Sequence, residues 1–171
     1  MISKKQIINW VRKLKDLPIL KENNCVIEYK KNDAYQAFSF GKNDSGTLRI
    51  RINQGFIDYL NSTNMDDITR KFNLNLLFYH ELGHLHSYIN NGLPHESNEE
   101  EFINSDREKQ KEMICKEECY AWDKGYEMYV MWCSQNNELF YEYKENIKKV
   151  VWENAEKYLD EMMKYNKHVR G

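Results

Sequence analysis

The stretch DDITRKFNLNLLFYHELGHLHSYINNGLP, residues 66–94, decides the fold of this chain. It opens with two aspartates, which suit a helix N-terminus, and it closes with Asn-Gly-Leu-Pro, a run that terminates helices. Between these ends, apolar residues recur at helical spacing: Phe72, Leu76, Leu77 and Leu85. The sequence therefore predicts one long helix from about Ile68 to Asn90.

Three short strands are predicted on the N-terminal side of this helix. β-Branched and aromatic residues are frequent in Val26–Tyr29, Tyr35–Phe40 and Thr47–Ile52, and the third segment alternates apolar and polar residues most cleanly. The run GKNDSG at residues 41–46 is rich in residues that tolerate turn geometry. The second and third strands are therefore predicted to form an antiparallel hairpin.

Helical spacing of apolar residues also occurs on both sides of this region. Near the start of the chain it runs from Ile7 to Leu17, and Pro18 is expected to stop the helix. Two further helices are predicted at about 106–135 and 139–167, after a polar and acidic loop at 95–105. The predicted fold class is α+β, with a small antiparallel sheet packed on the long helix and further C-terminal helices.

Length and composition favour a single domain over residues 1–171. The chain is 41% hydrophobic, which is enough to fill one core, and its formal net charge of -2 gives no electrostatic footprint for nucleic acid or an anionic membrane.

No run approaches the roughly 20 apolar residues of a membrane span, and the opening residues lack the apolar core of a secretory signal. The four cysteines do not form a disulfide framework. We expect a cytoplasmic protein with free thiols; its oligomeric state does not follow from the sequence.

The long helix carries the motif with the clearest chemical meaning, His80-Glu81-Leu82-Gly83-His84. Two histidines four residues apart project from one helix face about 6 Å apart, so one metal ion can reach both. Glu81 adjoins the first histidine, where a carboxylate can take a proton from metal-bound water. The alternative is a pair of packed helix histidines beside a glutamate. Leucines surround the motif, and histidines buried among them need polar partners, which favours a metal site.

A third ligand is needed, because a catalytic zinc ion takes three protein groups and leaves one position for water. Glu118, on the next predicted helix, is the candidate. Glu117 is the main competitor and points about 100° away around the same helix. Cys115, Ala121 and Gly125 are small enough to let the two helices approach closely. The sequence therefore predicts that Glu118 completes the site.

Other potential ligands and proton donors have a simpler explanation. Cys115 and Cys119 are four residues apart, but a cysteine inside a helix is usually a small core residue. His86, His95 and His168 have no partner at ligand spacing. Because the chain contains twelve tyrosines, packing or surface roles account best for any one of them, and none is assigned as an oxyanion donor.

The motif residues resemble a known pattern. HELGH at 80–84 followed by ECYA at 118–121 is similar to the gluzincin signature, H-E-x-x-H with a downstream E-x-x-A. The small size and the order of hairpin and motif helix resemble, more narrowly, the compact ImmA/IrrE-like metallopeptidases of phages and mobile elements. Trp122 departs from that narrower family, which usually has Asn or Asp after the E-x-x-A. The resemblance implies a zincin-like fold and these roles: Zn²⁺ ligands His80, His84 and Glu118, and general base Glu81.

The predicted function is hydrolysis of peptide bonds in a protein or peptide substrate by a zinc metalloendopeptidase. In proteases of this resemblance, an extended substrate lies along a sheet edge beside the motif helix, and Thr47–Ile52 is the nearest predicted strand. A second hypothesis is a catalytically silent zinc-binding regulatory or interaction module of a mobile element. A third hypothesis takes the His-Glu-His spacing as accidental. Metal content separates the third hypothesis from the other two, and turnover separates the first from the second.

Overall fold

A computed structural model describes residues 1–30, 38–91, 99–136 and Leu159. The helix predicted at 139–167 lies outside the described residues apart from Leu159, and so do residues 35–37 of the second predicted strand. In chain order the described elements are α1 (Lys4–Leu14), α2 (Pro18–Glu22), β1 (Val26–Lys30), β2 (Phe38–Lys42), β3 (Leu48–Asn53), α3 (Gln54–Ser62), α4 (Asp67–Asn91), α5 (Glu99–Asn104) and α6 (Arg107–Asn136).

The first helix has a clear N-terminal signal. The backbone N–H of Gln6 donates to the Ser3 hydroxyl, and the Gln6 side chain accepts from the backbone N–H of Ser3, which forms a capping box. The helix ends at Leu14, and Pro18 is the first residue of α2 rather than only a stop signal. Proline fits this position because the first helical N–H has no partner within the helix.

The β2–β3 hairpin is confirmed, but the sheet is mixed rather than wholly antiparallel. β2 pairs with β3 antiparallel, and the turn between them uses Gly46 at φ +79 and the Asn43 side chain, which accepts from the backbone N–H groups of Ser45 and Thr47. β1 lies on the other side of β3 and runs parallel to it, so the strand order is β1-β3-β2. The hairpin fixes only the β2–β3 pair; periodicity alone did not reveal the direction of β1.

Two short helices lie in segments where the sequence predicted none. Residues 54–62, directly after β3, form helix α3. Part of the predicted polar loop at 95–105 is helical, since α5 covers Glu99–Asn104. Both helices are short, and short helices give too few turns for apolar periodicity to become visible.

The long predicted helix is confirmed as α4, and it is the centre of the fold. It packs on α6 along its length and on β2 of the sheet, so it is buried on more than one face. Phe78, Tyr79, Leu82 and Leu85 are at most 1% exposed and share a core with Ile50 and Ile52 of β3. In the described ranges, no helix has the length and apolar character needed to cross a membrane. All four cysteines lie in the described part and form no disulfide.

Two glycines set how closely α4 and α6 approach. A Cβ added at Gly83 of α4 would overlap the backbone carbonyl of Ala121, and a Cβ added at Gly125 of α6 would overlap the backbone of Tyr79. The predicted roles of Ala121 and Gly125 as small contact residues are therefore confirmed. Cys115 instead packs in a separate buried cluster with Ile114 and Leu159. The close helix contact is what lets a side chain of α6 reach the motif on α4.

Candidate metal centre

The two motif histidines lie on the face of α4 that meets α6. His80 and His84 are one helical turn apart, and their Nε2 atoms approach to 3.2 Å. Their rings are 4.6 Å apart between centroids and inclined at 75°. His80 is buried and His84 is partly buried. The Nε2 atoms of the two rings therefore point into the same small space.

Glu118 enters this space from α6. One carboxylate oxygen lies 3.3 Å from Nε2 of His80, and the other lies 3.6 Å from Nε2 of His84. One ligand atom from each of the three residues falls within 4.8 Å of the others. Ligand atoms bound to tetrahedral zinc at about 2.0–2.2 Å lie about 3.3–3.6 Å apart. The donor set and its spacing therefore fit a metal ion.

Glu117 lies beside the same histidines but on their outer side. Its Oε1 is 3.2 Å from Nδ1 of His84, the nitrogen that faces away from His80. Its Oε2 accepts a hydrogen bond of 3.0 Å from the hydroxyl of Ser87. Glu117 thus contacts one histidine and a serine, whereas Glu118 lies near Nε2 of both histidines. Of the two adjacent glutamates, Glu118 has the position expected of the third ligand.

His80 is supported in a different way. Its ring stacks on the indole of Trp122 at 4.1 Å between centroids and 26° between planes. Its Nδ1 is buried and has no hydrogen-bond partner among the described residues. Trp122, the residue at which the sequence departs from the ImmA/IrrE-like pattern, therefore forms one wall of the cluster. Nothing in the spacing of the motif pointed to that role.

The Glu81 side chain contacts the sheet. It is buried, and its Oε2 accepts a 2.7 Å hydrogen bond from the backbone N–H of Phe40. Because that N–H points out of the β2–β3 pair, the strand edge beside α4 belongs to β2. The prediction that Thr47–Ile52 borders the site was therefore wrong, since β3 is the central strand and pairs on both sides. Alternation marked β3 as a strand but carried no information about its place in the sheet.

The charges of the site act on one another. Burial lowers the pKa of His84, but the hydrogen bond with Glu117 and the negative charges of Glu81 and Glu118 outweigh it and raise that pKa. Burial raises the pKa of Glu118, but the hydrogen bond with His80 and the charges of the two histidines outweigh it and lower that pKa. The carboxylates therefore make this partly buried space favourable for a cation.

Other candidate residues in the described ranges lie outside this cluster. Nδ1 of His86 is 2.9 Å from the hydroxyl of Tyr120 of α6, and His86 is not among the residues whose ligand atoms cluster. Tyr79 is 1% exposed, and burial raises the pKa of its hydroxyl, which makes it a poor proton donor. His95 and His168 lie outside the described residues.

Comparison of the chain with protein-family models, with curated proteins and with solved structures gives no match. The likeness to gluzincins rests on residues 80–84 and 118–121 alone. The chemistry of the cluster is therefore inferred from its own residues and their geometry.

Proposed function

We propose that this chain is a zinc metalloendopeptidase of zincin-like architecture that hydrolyses peptide bonds in a protein substrate. His80, His84 and Glu118 are the zinc ligands, and Glu81 is the general base. One observation carries the proposal: Nε2 of both histidines and the carboxylate of Glu118 converge within ligand distance. The buried Glu81 directly follows His80 in the chain. Two imidazoles and one carboxylate form a common ligand set of catalytic zinc.

The chemistry follows from what each group can do. A zinc ion held by His80, His84 and Glu118 would supply a bound water with a pKa of about 7 and would polarise the carbonyl of the scissile peptide bond. Glu81 would act as the base that accepts a proton from that water and returns it to the leaving amine. The negative charge of Glu81 is one of the causes that raise the pKa of His84.

The Phe40 amide prepares Glu81 for this role. The 2.7 Å hydrogen bond restrains Oε2 of the carboxylate and leaves Oε1 as the oxygen that takes the proton. A base held in one orientation transfers protons more effectively than a mobile one, because less ordering is required in the transition state. We therefore assign the β2 backbone a direct part in holding the general base.

The substrate is expected to bind as an extended segment along β2. This strand borders the site through Phe40, and in the described part of the chain it pairs with β3 along its opposite edge. An extended peptide that adds to a strand edge forms backbone hydrogen bonds with little dependence on its sequence. The peptide bond to be cut would then lie next to Glu81.

The second candidate is a catalytically silent zinc-binding regulatory or interaction module. One observation favours it: Glu81 is 9% exposed and already has a strong backbone hydrogen bond, an arrangement that also suits a purely structural carboxylate. Both candidates require zinc, and they differ only in turnover.

The test is a cleavage screen with zinc-loaded protein. Parent protein and Glu81→Gln are incubated with a diverse peptide library and with unfolded proteins, and new termini are identified by mass spectrometry. The enzyme proposal expects cleavage that a chelator abolishes and that Glu81→Gln lacks. If zinc-loaded parent produces no termini beyond those of Glu81→Gln on any of these substrates, the silent module is the better account.

A further inference from the structure

We propose that Glu117, held by Ser87, fixes the tautomer of His84 and so prepares its Nε2 for the metal. The inference rests on the metal site proposed above, but its first test needs no metal. Glu117 and Glu118 are the two candidates for the third ligand in the sequence. The inference assigns Glu117 as a positioning residue rather than a ligand.

Two consecutive hydrogen bonds link Ser87, Glu117 and His84. The hydroxyl of Ser87 lies 3.0 Å from Oε2 of Glu117, and Oε1 of the same carboxylate lies 3.2 Å from Nδ1 of His84. Ser87 is 2% exposed and is one of the few buried polar residues of α4. The serine restrains one oxygen, and the other is thereby aimed at the ring nitrogen.

The direction of each hydrogen bond follows from the chemistry of the groups. An ionised carboxylate can only accept, so the Ser87 hydroxyl donates to Glu117, and Nδ1 of His84 must carry a proton to donate to it. A neutral imidazole has one protonated nitrogen. Nε2 of His84 is then left with a free lone pair, and this is the atom that faces His80 and Glu118.

His80 offers a comparison inside the same molecule. No carboxylate of the described residues reaches its Nδ1, and its ring is held by stacking on Trp122 instead. The stack fixes the plane of the ring but does not choose between the two tautomers. In metal-free protein the carboxylate nearest to His80 is that of Glu118, 3.3 Å from Nε2, and it favours a proton on that nitrogen. The Nδ1–H preference is therefore expected for His84 and not for His80.

The first test measures tautomers in metal-free protein. Nitrogen-15 NMR of the histidine rings, recorded at increasing pH until the shifts of His84 no longer change, distinguishes protonated from bare nitrogens in the neutral rings. We expect the Nδ1–H form for His84 in the parent. In Glu117→Asp the shorter side chain keeps the charge but cannot reach Nδ1, so His84 should shift toward the Nε2–H form.

Two further variants test whether a change in the His84 tautomer comes from the Glu117 contact, from a general change in charge, or from a failure to fold. Glu112→Gln removes one negative charge from an exposed position of the same helix, and it should leave the His84 tautomer unchanged. Ser87→Ala keeps Glu117 but removes its restraint, so the Nδ1–H preference should weaken without being lost. Ser87→Ala also serves if Glu117→Asp fails to fold.

The second test measures zinc affinity by competition with a chromophoric chelator. Loss of a partner that orients a metal ligand typically weakens metal binding about 10–100-fold. Glu117→Asp should fall in this range, and Glu112→Gln should bind like the parent. The inference is overturned if His84 keeps the Nδ1–H form in Glu117→Asp, or if Glu117→Asp and Glu112→Gln bind zinc equally. A parent that shows the Nδ1–H form but binds no zinc would refute the metal site and leave the tautomer assignment standing.

Discussion

Gly83 of α4 lies directly against the backbone carbonyl of Ala121 of α6. The contact occurs in the middle of the motif and three residues beyond Glu118, so it sets the distance between His80 and His84 on one helix and Glu118 on the other. Any side chain at residue 83 would force the two backbones apart. The glycine inside H-E-L-G-H therefore lets the backbones of the two helices touch at the motif.

The first prediction concerns this helix contact. Gly83→Ala should destabilise the fold by about 1–3 kcal/mol, because the added methyl group meets backbone rather than a side chain that can move. It should also weaken zinc binding, because Glu118 is carried away with α6. Gly41→Ala is the matched control, since a Cβ there meets nothing within 4 Å. Urea unfolding and zinc competition would measure both effects; equal behaviour of the two variants would refute the role of the contact.

The second prediction concerns the adjacent glutamates. Glu118→Ala removes a ligand and should lower zinc affinity by more than about 100-fold, beyond the range typical of a residue that only orients a ligand. Glu117→Ala should cause the smaller loss, because Glu117 touches the outer nitrogen of His84. Chelator competition on both variants gives the comparison. A variant Glu118→Ala that binds zinc like the parent, together with a Glu117→Ala that does not, would reverse the assignment.

The third prediction separates catalysis from metal binding. Glu81→Gln should keep zinc occupancy near that of the parent, because Glu81 is not a ligand and Gln preserves its size. Peptide cleavage should fall by about 100-fold or more, the effect expected for loss of a positioned general base. Rates would be measured on a substrate found in the cleavage screen, with chelator treatment to exclude contaminating protease. Unchanged cleavage by Glu81→Gln would remove Glu81 from the mechanism.

The fourth prediction concerns thiol reactivity. Burial raises the pKa of the Cys25 thiol to about 12. Only the thiolate reacts with iodoacetamide. At about pH 8 roughly one Cys25 thiol in ten thousand is therefore reactive, compared with about a quarter of the molecules for an ordinary thiol of pKa about 8.5. The rate should rise about tenfold per pH unit. Peptide mapping should show Cys119, which is partly exposed, labelled well before Cys25 in native protein, and both labelled alike in urea. Equal rates in native protein would contradict the burial of Cys25.

The parts of the fold that could be predicted were those specified by local sequence. Capping and apolar spacing predicted α4, turn residues predicted the β2–β3 hairpin, and small residues predicted close packing of α6 on α4. The turn of about 100° per helix residue showed that Glu117 and Glu118 point in different directions, but it did not say which of them is the third ligand. The likeness to the E-x-x-A pattern favoured Glu118. Each of these inferences needed only a few adjacent residues.

The parts that could not be predicted depend on contacts between distant segments. Nothing in Val26–Lys30 indicates that β1 pairs parallel with β3, and nothing in Phe40 indicates that its backbone N–H meets Glu81. The stacking of Trp122 on His80 and the Ser87–Glu117–His84 chain likewise require the packing of α6 on α4. Aromatic and acidic residues are frequent in this sequence, so none of these stood out before the fold was known.

Zinc content is the most direct test of the central claim. Protein purified without chelator, and then exposed to a slight excess of zinc and desalted, should contain about one zinc ion per chain by elemental analysis. His84→Ala should retain only a trace, whereas His86→Ala, a histidine of the same helix that lies outside the ligand cluster, should retain the parent's content. A parent without bound zinc, or equal zinc in His84→Ala and His86→Ala, would contradict the account.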